Sequence, residues 1–265
     1  MLQAGYPQTS GSFWEAGFAR LRAVPPMAGD VPLGCLLELR GQPVGVALLL
    51  PSRRPGEPAR PRINAGSWVI LPQARGQAPW AARMAMGDAT AIYTALTPNP
   101  SAARMLERQG FRPVSHQCLL GFTARLAWRP VPAGRLLFGQ AALNALRDDP
   151  LAAALEDHHR LGCTVTALAT GQDLVPLVWR SHRRLRMLPT AELLYAPSTA
   201  QVLQHIGLLA RGLLRRGYPM LAIEASEHVV PDFPCTRLFQ RRFARGGYGR
   251  HGIDHLYSEL VYLHR

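Results

Sequence analysis

In residues 67–82, SWVILPQARGQAPWAA, an apolar strand runs into a turn and then into a helix. The predicted strand ends at Pro72, and the predicted helix begins at Pro79. Backbone N–H groups at the start of a helix, together with the helix dipole, attract anions. Gly76 would let an anion approach the backbone closely, and Arg75 would add positive charge beside it. The segment therefore predicts a phosphate-binding turn.

Around this turn, the spacing of apolar residues predicts alternating strands and helices. We expect a hairpin turn at residues 40–43, and an exposed loop at residues 51–62 because that stretch is rich in proline, arginine and glycine. Gly110 has the position of a left-handed helix C-cap. The expected helices are residues 13–24, 79–86 and 100–109, and the expected strands are residues 33–39, 44–50, 63–71, 89–96 and 114–122.

The second half repeats this order loosely after a linker at residues 129–134, which contains two prolines and a glycine. The expected helices there are residues 136–146, 150–161, 199–216 and 236–243, and the expected strands are residues 164–169, 174–179, 191–196, 220–225 and 256–263. The sequence therefore predicts a mixed α/β fold with two tandem domains, residues 1–128 and residues 135–265. A single large α/β sheet is the structural alternative.

Two motifs in the first half resemble those of a known family. Residues 73–78, Gln-Ala-Arg-Gly-Gln-Ala, are similar to the Q/R-x-x-G-x-G/A signature of the GCN5-related N-acetyltransferase (GNAT) superfamily. Residues 99–111 resemble that family's second motif, a helix that begins N-x-x-A and ends in Gly-Phe. The resemblance covers about residues 10–125. It implies GNAT-like domains, each a mostly antiparallel mixed sheet with a splayed central strand pair flanked by helices.

The second half is similar to bacterial tandem-GNAT acyl-CoA acyltransferases, notably in residues 254–259, Asp-His-Leu-Tyr-Ser-Glu. The turn that corresponds to the phosphate-binding turn is residues 195–200, which contains no glycine and no arginine. We therefore expect a degenerate second GNAT-like domain, without a pyrophosphate cradle.

The resemblance implies that acetyl-CoA, or another acyl-CoA, binds to the first domain as co-substrate. The strand before the turn would pair with the pantetheine arm, the turn would wrap the pyrophosphate, and the second motif would contact the pantetheine and the thiol. The cofactor-binding residues expected on this basis are Val69, Ile70, Leu71, Gln73, Arg75, Gly76, Gln77, Ala78, Asn99 and Ser101. The sequence departs from the family pattern at Pro79, which has no N–H to offer. It departs again at Leu106, where the family often has a tyrosine.

Direct acyl transfer needs a general base for the amine and a donor for the oxyanion. Glu38 and His116 are the candidate bases, and Tyr93 is the candidate acid because it lies nearest to the place of the family's tyrosine. The structural alternatives are a solvated strand residue for Glu38, a packed histidine for His116 and a core position for Tyr93. Asn64 and Ser67, on the strand before the turn, could touch the acceptor.

For the other titratable groups that stand out in the sequence, structural roles are the preferred or an equal interpretation. Glu224 lies between apolar neighbours on a predicted strand, where it could face a cleft or form a salt bridge. His251 and His255 have the spacing of a helical zinc-binding pair, but the surrounding glycines disfavour a helix, and we predict no metal site. The basic run at residues 180–186 could bind phosphate or nucleic acid, and a solvated loop is the preferred interpretation.

The chain of 265 residues has 30 basic side chains, all arginine, against 17 acidic ones, for a net charge of +13. The lack of lysine excludes a lysine Schiff base, a lysine general base and a lysine-dependent phosphate loop. The charge favours a phosphorylated cofactor as partner, or reflects a GC-rich genome. Because no DNA- or RNA-binding module is recognisable, we predict no nucleic-acid partner.

The sequence also predicts a cytoplasmic protein. Its longest apolar run, residues 44–50, is far shorter than the roughly 18 residues that a membrane span needs. No signal peptide is recognisable, and the four cysteines lie far apart, as expected in a reducing compartment.

The predicted function is an acyl-CoA-dependent N-acyltransferase that acts on an unidentified amine, a small molecule or a peptide, by direct transfer. The alternative is a non-catalytic CoA-binding or scaffold protein of the same fold. The sequence does not identify the acceptor or predict the oligomeric state.

Overall fold

The computed structural model describes residues 1–26, 32–55, 60–171, 173–184, 188–247 and 252–263, with the side chains of all of these except residues 115 and 116. The chain forms two compact units that alternate along the sequence. The first unit comprises Met1–Val114, Arg241–Tyr248 and Tyr257–Arg265, and the second comprises Ser115–Gln240 and Gly249–Leu256. The domain boundaries at residues 128 and 135, which were inferred from the linker composition, stay a prediction.

The elements are numbered in chain order. The helices are α1 (Leu2–Gly5), α2 (Gly11–Ala23), α3 (Ala78–Ala85), α4 (Pro100–Arg108), α5 (Thr123–Leu126), α6 (Gln140–Ala145), α7 (Ala152–Arg160), α8 (Thr199–Gln204), α9 (Ile206–Leu214) and α10 (Glu259–Tyr262), with a 3₁₀ helix at Pro72–Gln77. The strands are β1 (Gly34–Leu39), β2 (Gln42–Ser52), β3 (Arg62–Ile70), β4 (Ile92–Ala95), β5 (Arg112–Phe122), β6 (Arg135–Phe138), β7 (Thr164–Thr170), β8 (Asp173–Arg184), β9 (Leu188–Ala196), β10 (Met220–Ala225), β11 (Thr236–Arg245) and β12 (Ile253–Asp254).

The first unit contains a mixed sheet in the order β1-β2-β3-β4, and the end of β11 pairs with β4. Its pairs are antiparallel except for the parallel pair of β3 and β4. One face buries apolar side chains of β3, β4, α3 and α4 in a common core, including Ile63, Tyr93 and Leu106. Burial of such side chains is the main source of folding free energy. Gly110 has φ +82°, so the predicted left-handed C-cap of α4 is confirmed.

The second unit contains a sheet in the order β6-β7-β8-β9-β10-β5, with β12 added to β9. Again one pair, β9 and β10, is parallel, and the remaining pairs are antiparallel. Helix α9 buries Ile206, Leu209 and Leu213 against this sheet. The predicted fold class is therefore confirmed: both units are mostly antiparallel mixed sheets with one parallel central pair and flanking helices.

Two predicted helices of the second half differ from the structure. The helix expected at residues 136–146 is strand β6 followed by the short helix α6, because the chain turns at Gly139, which has φ +56°. The helix expected at residues 199–216 is divided into α8 and α9 at His205, whose backbone leaves the helical region and whose Nδ1 lies 3.0 Å from the Gln201 carbonyl oxygen. Local helical spacing could not reveal either break.

Three further predictions need correction. The helix expected at residues 236–243 is strand β11, which continues a sheet, so tertiary pairing overrides the local pattern. The strand expected at residues 256–263 contains helix α10 instead. The expected loop at residues 51–62 begins later, because Pro51 and Ser52 are buried in β2. Among the described residues, no helix is long and apolar enough to cross a membrane.

Candidate functional site

The central feature of the first unit is the separation of its two parallel strands. Strands β3 and β4 pair only from Arg62 to Asn64. Beyond Asn64, in the part of the chain that the structure describes, no strand pairs with this edge of β3. On the other edge, the register with β2 shifts, so that Leu48 lies opposite both Gly66 and Ser67. Such a bulge increases the local twist and bends the strand, and it lies just beyond Asn64, the last residue of β3 that pairs with β4.

The open edge of β3 presents backbone hydrogen-bonding groups at Trp68. The Trp68 N–H donates to the Tyr6 hydroxyl oxygen at 3.3 Å, and the Tyr6 hydroxyl lies 3.4 Å from the Trp68 carbonyl oxygen. Tyr6 is held there by α1, in which Gly5 packs so closely on Val69 that an added Cβ would lie 2.3 Å from a Val69 methyl carbon. Paired N–H and C=O groups on an open edge are the groups that an extended ligand uses when it adds to a sheet.

A buried carboxylate lies beside the same edge. Glu259, the first residue of α10, is 7% exposed. Its backbone N–H donates to Asn64 Oδ1 at 2.8 Å, and the Thr97 hydroxyl donates to its Oε1 at 2.7 Å. A Cβ on Gly66 would lie 3.4 Å from Oε2. The carboxylate thus lies between the bulge of β3 and the residues that follow β4.

Asn64 fixes the point where the two strands separate. Its Nδ2 donates to the Thr94 hydroxyl at 3.2 Å across the last pair of the parallel ladder, while its Oδ1 holds α10. Tyr257, just before α10, has φ +54° although it is not glycine, and it is fully buried. Unfavourable backbone conformations of this kind persist where the surrounding structure requires them, and they concentrate at functional sites.

The hydroxyl and the carboxylate influence each other electrostatically. Burial raises the pKa of Tyr6 above its ordinary value, and the negative charge of Glu259 raises it further, while the hydrogen bond to the Trp68 backbone acts in the opposite direction. The Tyr6 hydroxyl is therefore protonated at neutral pH and can donate a proton.

The fold is similar to that of solved acetyltransferase structures. No family model and no curated protein matches the sequence. The chain is similar to a GCN5-related N-acetyltransferase from Anabaena variabilis ATCC 29413, with a TM-score of 0.57, 11% identity and coverage of 92% of this chain and 68% of that one. It is also similar to a structure from Pyrococcus horikoshii that was assigned as an acetyltransferase, with a TM-score of 0.51, 12% identity and coverage of 100% and 90%.

The chain has the GNAT fold. In GNAT terms, β3 is the strand before the predicted pyrophosphate turn, and the opening between β3 and β4 is the predicted splay. The turn itself is a 3₁₀ helix that runs directly into α3, so that Pro79 lies inside a continuous helical segment.

The side chains of the predicted turn are mostly accessible. Gln73, Arg75, Gly76 and Gln77 are exposed, and Ala78 is half-buried. An added Cβ on Gly76 would meet no atom within 4 Å, so the fold itself does not require glycine at this position. The Ala78 N–H is already bonded to the Arg75 carbonyl, which leaves fewer amides for a ligand than an open loop would offer.

The remaining predicted cofactor residues are placed as follows. Val69 is buried against α1, whereas Ile70 and Leu71 are half-buried. Asn99 caps α4, because its Oδ1 accepts the Ala102 N–H at 2.8 Å. Ser101 is exposed in the first turn of that helix. Their contacts with acyl-CoA stay predictions.

The three predicted catalytic residues are not brought together by the sheet. Glu38 is exposed on β1, and strands β2 and β3 lie between it and Tyr93 on β4. Tyr93 is 1% exposed, with the Arg245 guanidinium 4.9 Å from its ring centre, and burial raises its pKa. The side chain of His116 lies outside the described residues. The catalytic roles of all three stay predictions.

The second unit has the same strand separation, but strand β12 and the residue after it fill the opening. Strands β9 and β10 pair only as far as Glu192 and Ala222. Beyond that point, β12 pairs with Tyr195 and Ala196, and the His255 N–H donates to the Leu194 carbonyl at 2.8 Å. The edge that would receive a pantetheine arm is therefore occupied by the protein's own backbone.

The titratable groups of this second opening also have structural partners. His255 Nε2 lies 2.6 Å from Glu224 Oε2, and both side chains are buried. Within the described residues, no group of three or more histidine, cysteine or acidic side chains is arranged to hold a metal; His251 lies outside them.

In the basic run at residues 180–186, Arg180 forms an ion pair with the buried Glu192 at 2.6 Å. The run continues β8 as far as residue 184 rather than forming a loop, and residues 185 and 186 are not described.

Proposed function

We propose that the protein transfers an acyl group from acyl-CoA to an amine in the first unit, with acetyl-CoA as the donor to test first. The observation that carries this proposal is the edge of β3, which beyond Asn64 has no strand partner in the described chain and leads into the exposed turn with Arg75 and Gly76. An extended pantetheine arm fits such an edge, because its amide groups can pair with those of the strand.

The turn and its charge support the placement of the diphosphate. Gly76 leaves open space beside the backbone, and the exposed Arg75 guanidinium can pair with a phosphate through two N–H groups. Among the amides of the turn, those of Ala74 and Ala78 already donate to the Leu71 and Arg75 carbonyls, so the exposed Arg75 guanidinium would be the main group for the phosphates. Asn99 and Ser101, at the start of α4, would contact the pantetheine beside the thiol. The net charge of +13 would favour the approach of a polyanion.

The reaction would be a direct transfer. The neutral amine attacks the thioester carbonyl carbon, a base removes a proton from the attacking nitrogen, and the thiolate leaves. The oxyanion that forms on the carbonyl needs a preorganised donor, and the Trp68 N–H on the open edge is the nearest candidate. The protein's part in this reaction is to align the two substrates and to exclude water between them.

A specific observation favours a second candidate, a CoA-binding protein that does not catalyse transfer. The Tyr6 hydroxyl already occupies the Trp68 backbone groups, and the Asn99 side chain already caps α4. In this alternative, acyl-CoA would bind to the turn while the thioester would remain unreactive.

The experiment has two stages. Thermal unfolding is first followed with acetyl-CoA, CoA and, as an anionic control of different shape, ATP; we expect acetyl-CoA and CoA to raise Tm and ATP to have little effect. CoA release from acetyl-CoA is then measured with a panel of primary amines: a polyamine, an aminosugar and a peptide with a free N-terminus. Amine-dependent release supports the transferase, and binding without release supports the second candidate. No shift with millimolar acetyl-CoA would contradict both.

We also propose a reducing, cytoplasmic setting for this activity. None of the four cysteines, all of which lie in the described residues, forms a disulfide; Cys35 is exposed and Cys235 is partly exposed. Exposed free thiols are typical of compartments that keep cysteine reduced.

A further inference from the structure

We propose that Glu259 is the general base of the transfer and that Tyr6 is the acid that protonates the departing thiolate. This inference rests on the proposed function. Neither residue belongs to the motifs of the first half: Glu259 lies on α10 and Tyr6 lies at the end of α1. What joins them is the segment of β3 from Asn64 to Trp68, which both residues contact.

The position of Glu259 suits a base. Its main chain is tied to Asn64, and one carboxylate oxygen receives the Thr97 hydroxyl, so the carboxylate has a fixed orientation between β3 and the end of β4. Its other oxygen, Oε2, lies over Gly66, so that a Cβ at this position would lie 3.4 Å from it. A general base must lie within hydrogen-bond reach of the proton that it removes. An amine that attacks a thioester lying along the bulge of β3 would arrive beside this carboxylate.

The position of Tyr6 suits an acid. Its hydroxyl lies between the N–H and C=O of Trp68, on the open edge itself. A thioester that pairs with this edge displaces the hydroxyl from these backbone groups and leaves it next to the sulfur. Its pKa is raised by burial and by the charge of Glu259, so the proton is present when the thiolate forms.

The proton balance closes within the site. As the C–N bond forms, the Glu259 carboxylate takes one proton from the attacking nitrogen. As the C–S bond breaks, the sulfur takes the proton of the Tyr6 hydroxyl. The protonated Glu259 then releases its proton to water, and the Tyr6 phenolate takes one from water. The net reaction is acetyl-CoA plus a primary amine giving the acetamide plus CoA thiol.

Comparison of Glu259→Gln with a matched exposed variant, Glu15→Gln on α2, tests the base. The measurements are the Kd for acetyl-CoA and kcat for CoA release with the best amine of the panel. Glutamine keeps the size and the hydrogen bond from Thr97 but cannot take a proton, so we expect kcat to fall by about 100-fold or more with Kd unchanged. Glu15→Gln should leave both constants at the wild-type values.

Tyr6→Phe tests the acid, because we expect it to lower kcat without weakening acetyl-CoA binding. The loss of a merely structural residue would not separate the two effects in this way. Removal of the hydroxyl frees the Trp68 backbone groups, so acetyl-CoA should bind equally well or more tightly, while kcat falls by about 100-fold. A variant that weakens binding and leaves kcat unchanged would overturn the role of Tyr6.

The possible failures can be told apart. If the wild-type chain releases CoA in the presence of an amine and Glu259→Gln does so at the same rate, the assignment of the base is wrong and the proposed function stands. If the wild-type chain binds acetyl-CoA but none of the amines tested triggers CoA release, the proposed transferase activity and this inference are both wrong. Circular dichroism of each variant confirms that a loss of rate is measured on folded protein.

Discussion

The two units of this protein contain the same opening between parallel strands, and they fill it differently. In the first unit, β3 beyond Asn64 meets side chains: the Tyr6 hydroxyl lies against the Trp68 backbone, and the Glu259 carboxylate lies over Gly66. In the second unit, the edge of β9 beyond Glu192 meets backbone, because β12 continues the ladder there. Side chains can rotate away from a ligand, whereas a strand must be removed from the sheet. The comparison indicates that the first unit leaves this edge to side chains, whereas the second covers it with backbone.

The largest effect should come from disturbing the closure of the second unit. A Cβ on Gly252 would lie 2.4 Å from the Ala196 carbonyl oxygen and 2.7 Å from that of Pro197. We expect Gly252→Ala to lower the free energy of unfolding by about 3 kcal/mol, measured by urea denaturation. Gly11→Ala, where the added atom meets only ordinary contacts, is the control. Equal stability of the two variants would show that β12 does not close this edge tightly.

The next largest effect concerns the buried pair of His255, which follows β12, and Glu224. His255→Ala removes a short contact to Glu224 at a site where the histidine side chain is 1% exposed. The lost buried contact and the cavity together should cost about 2–3 kcal/mol in urea denaturation. The exposed His228 supplies the control variant, His228→Ala. Because this pair belongs to the second unit, the affinity for acetyl-CoA should not change, and a parallel loss of affinity would contradict the separation of roles.

A smaller effect is expected in the first unit, on affinity instead of stability. Gly76→Val places a branched side chain where the fold leaves open space. It should weaken acetyl-CoA binding about tenfold, which is about 1.4 kcal/mol, while the free energy of unfolding stays within about 0.5 kcal/mol of wild type. Titration calorimetry and urea denaturation give the two values. Unchanged affinity would remove the turn from the binding site.

The smallest effect concerns the charge at the turn. Arg75→Ala should weaken acetyl-CoA binding about threefold at low salt, and the difference from wild type should fade as salt approaches about 1 M, where screening acts over about 3 Å. Arg22→Ala, an exposed arginine on α2, is the matched control and should have no effect. A threefold loss in both variants would mean that the overall charge, and not the turn, attracts the ligand.

The sequence predicts the scaffold of the first unit well, because strand, turn and helix around residues 63–86 carry local signals. Beside the open edge, Tyr6 carries no such signal, and Glu259 stands out only as part of the family resemblance of residues 254–259, which does not place it in the first unit. The contact between Glu259 and Asn64 joins residues 195 positions apart, and that between Tyr6 and Trp68 joins residues 62 positions apart. The run at residues 256–263 is apolar enough for a strand or a helix, so only its packing decides that it contains α10. Chemistry that depends on such long-range contacts cannot be read from spacing.

If the chain binds acyl-CoA in the first unit only, the stoichiometry of acetyl-CoA binding is one. Titration calorimetry on the wild-type chain should give one acetyl-CoA per chain, and Gly76→Val should weaken that single site. Two sites per chain would contradict the closure of the second unit by β12. No binding at all would contradict the ligand edge of the first.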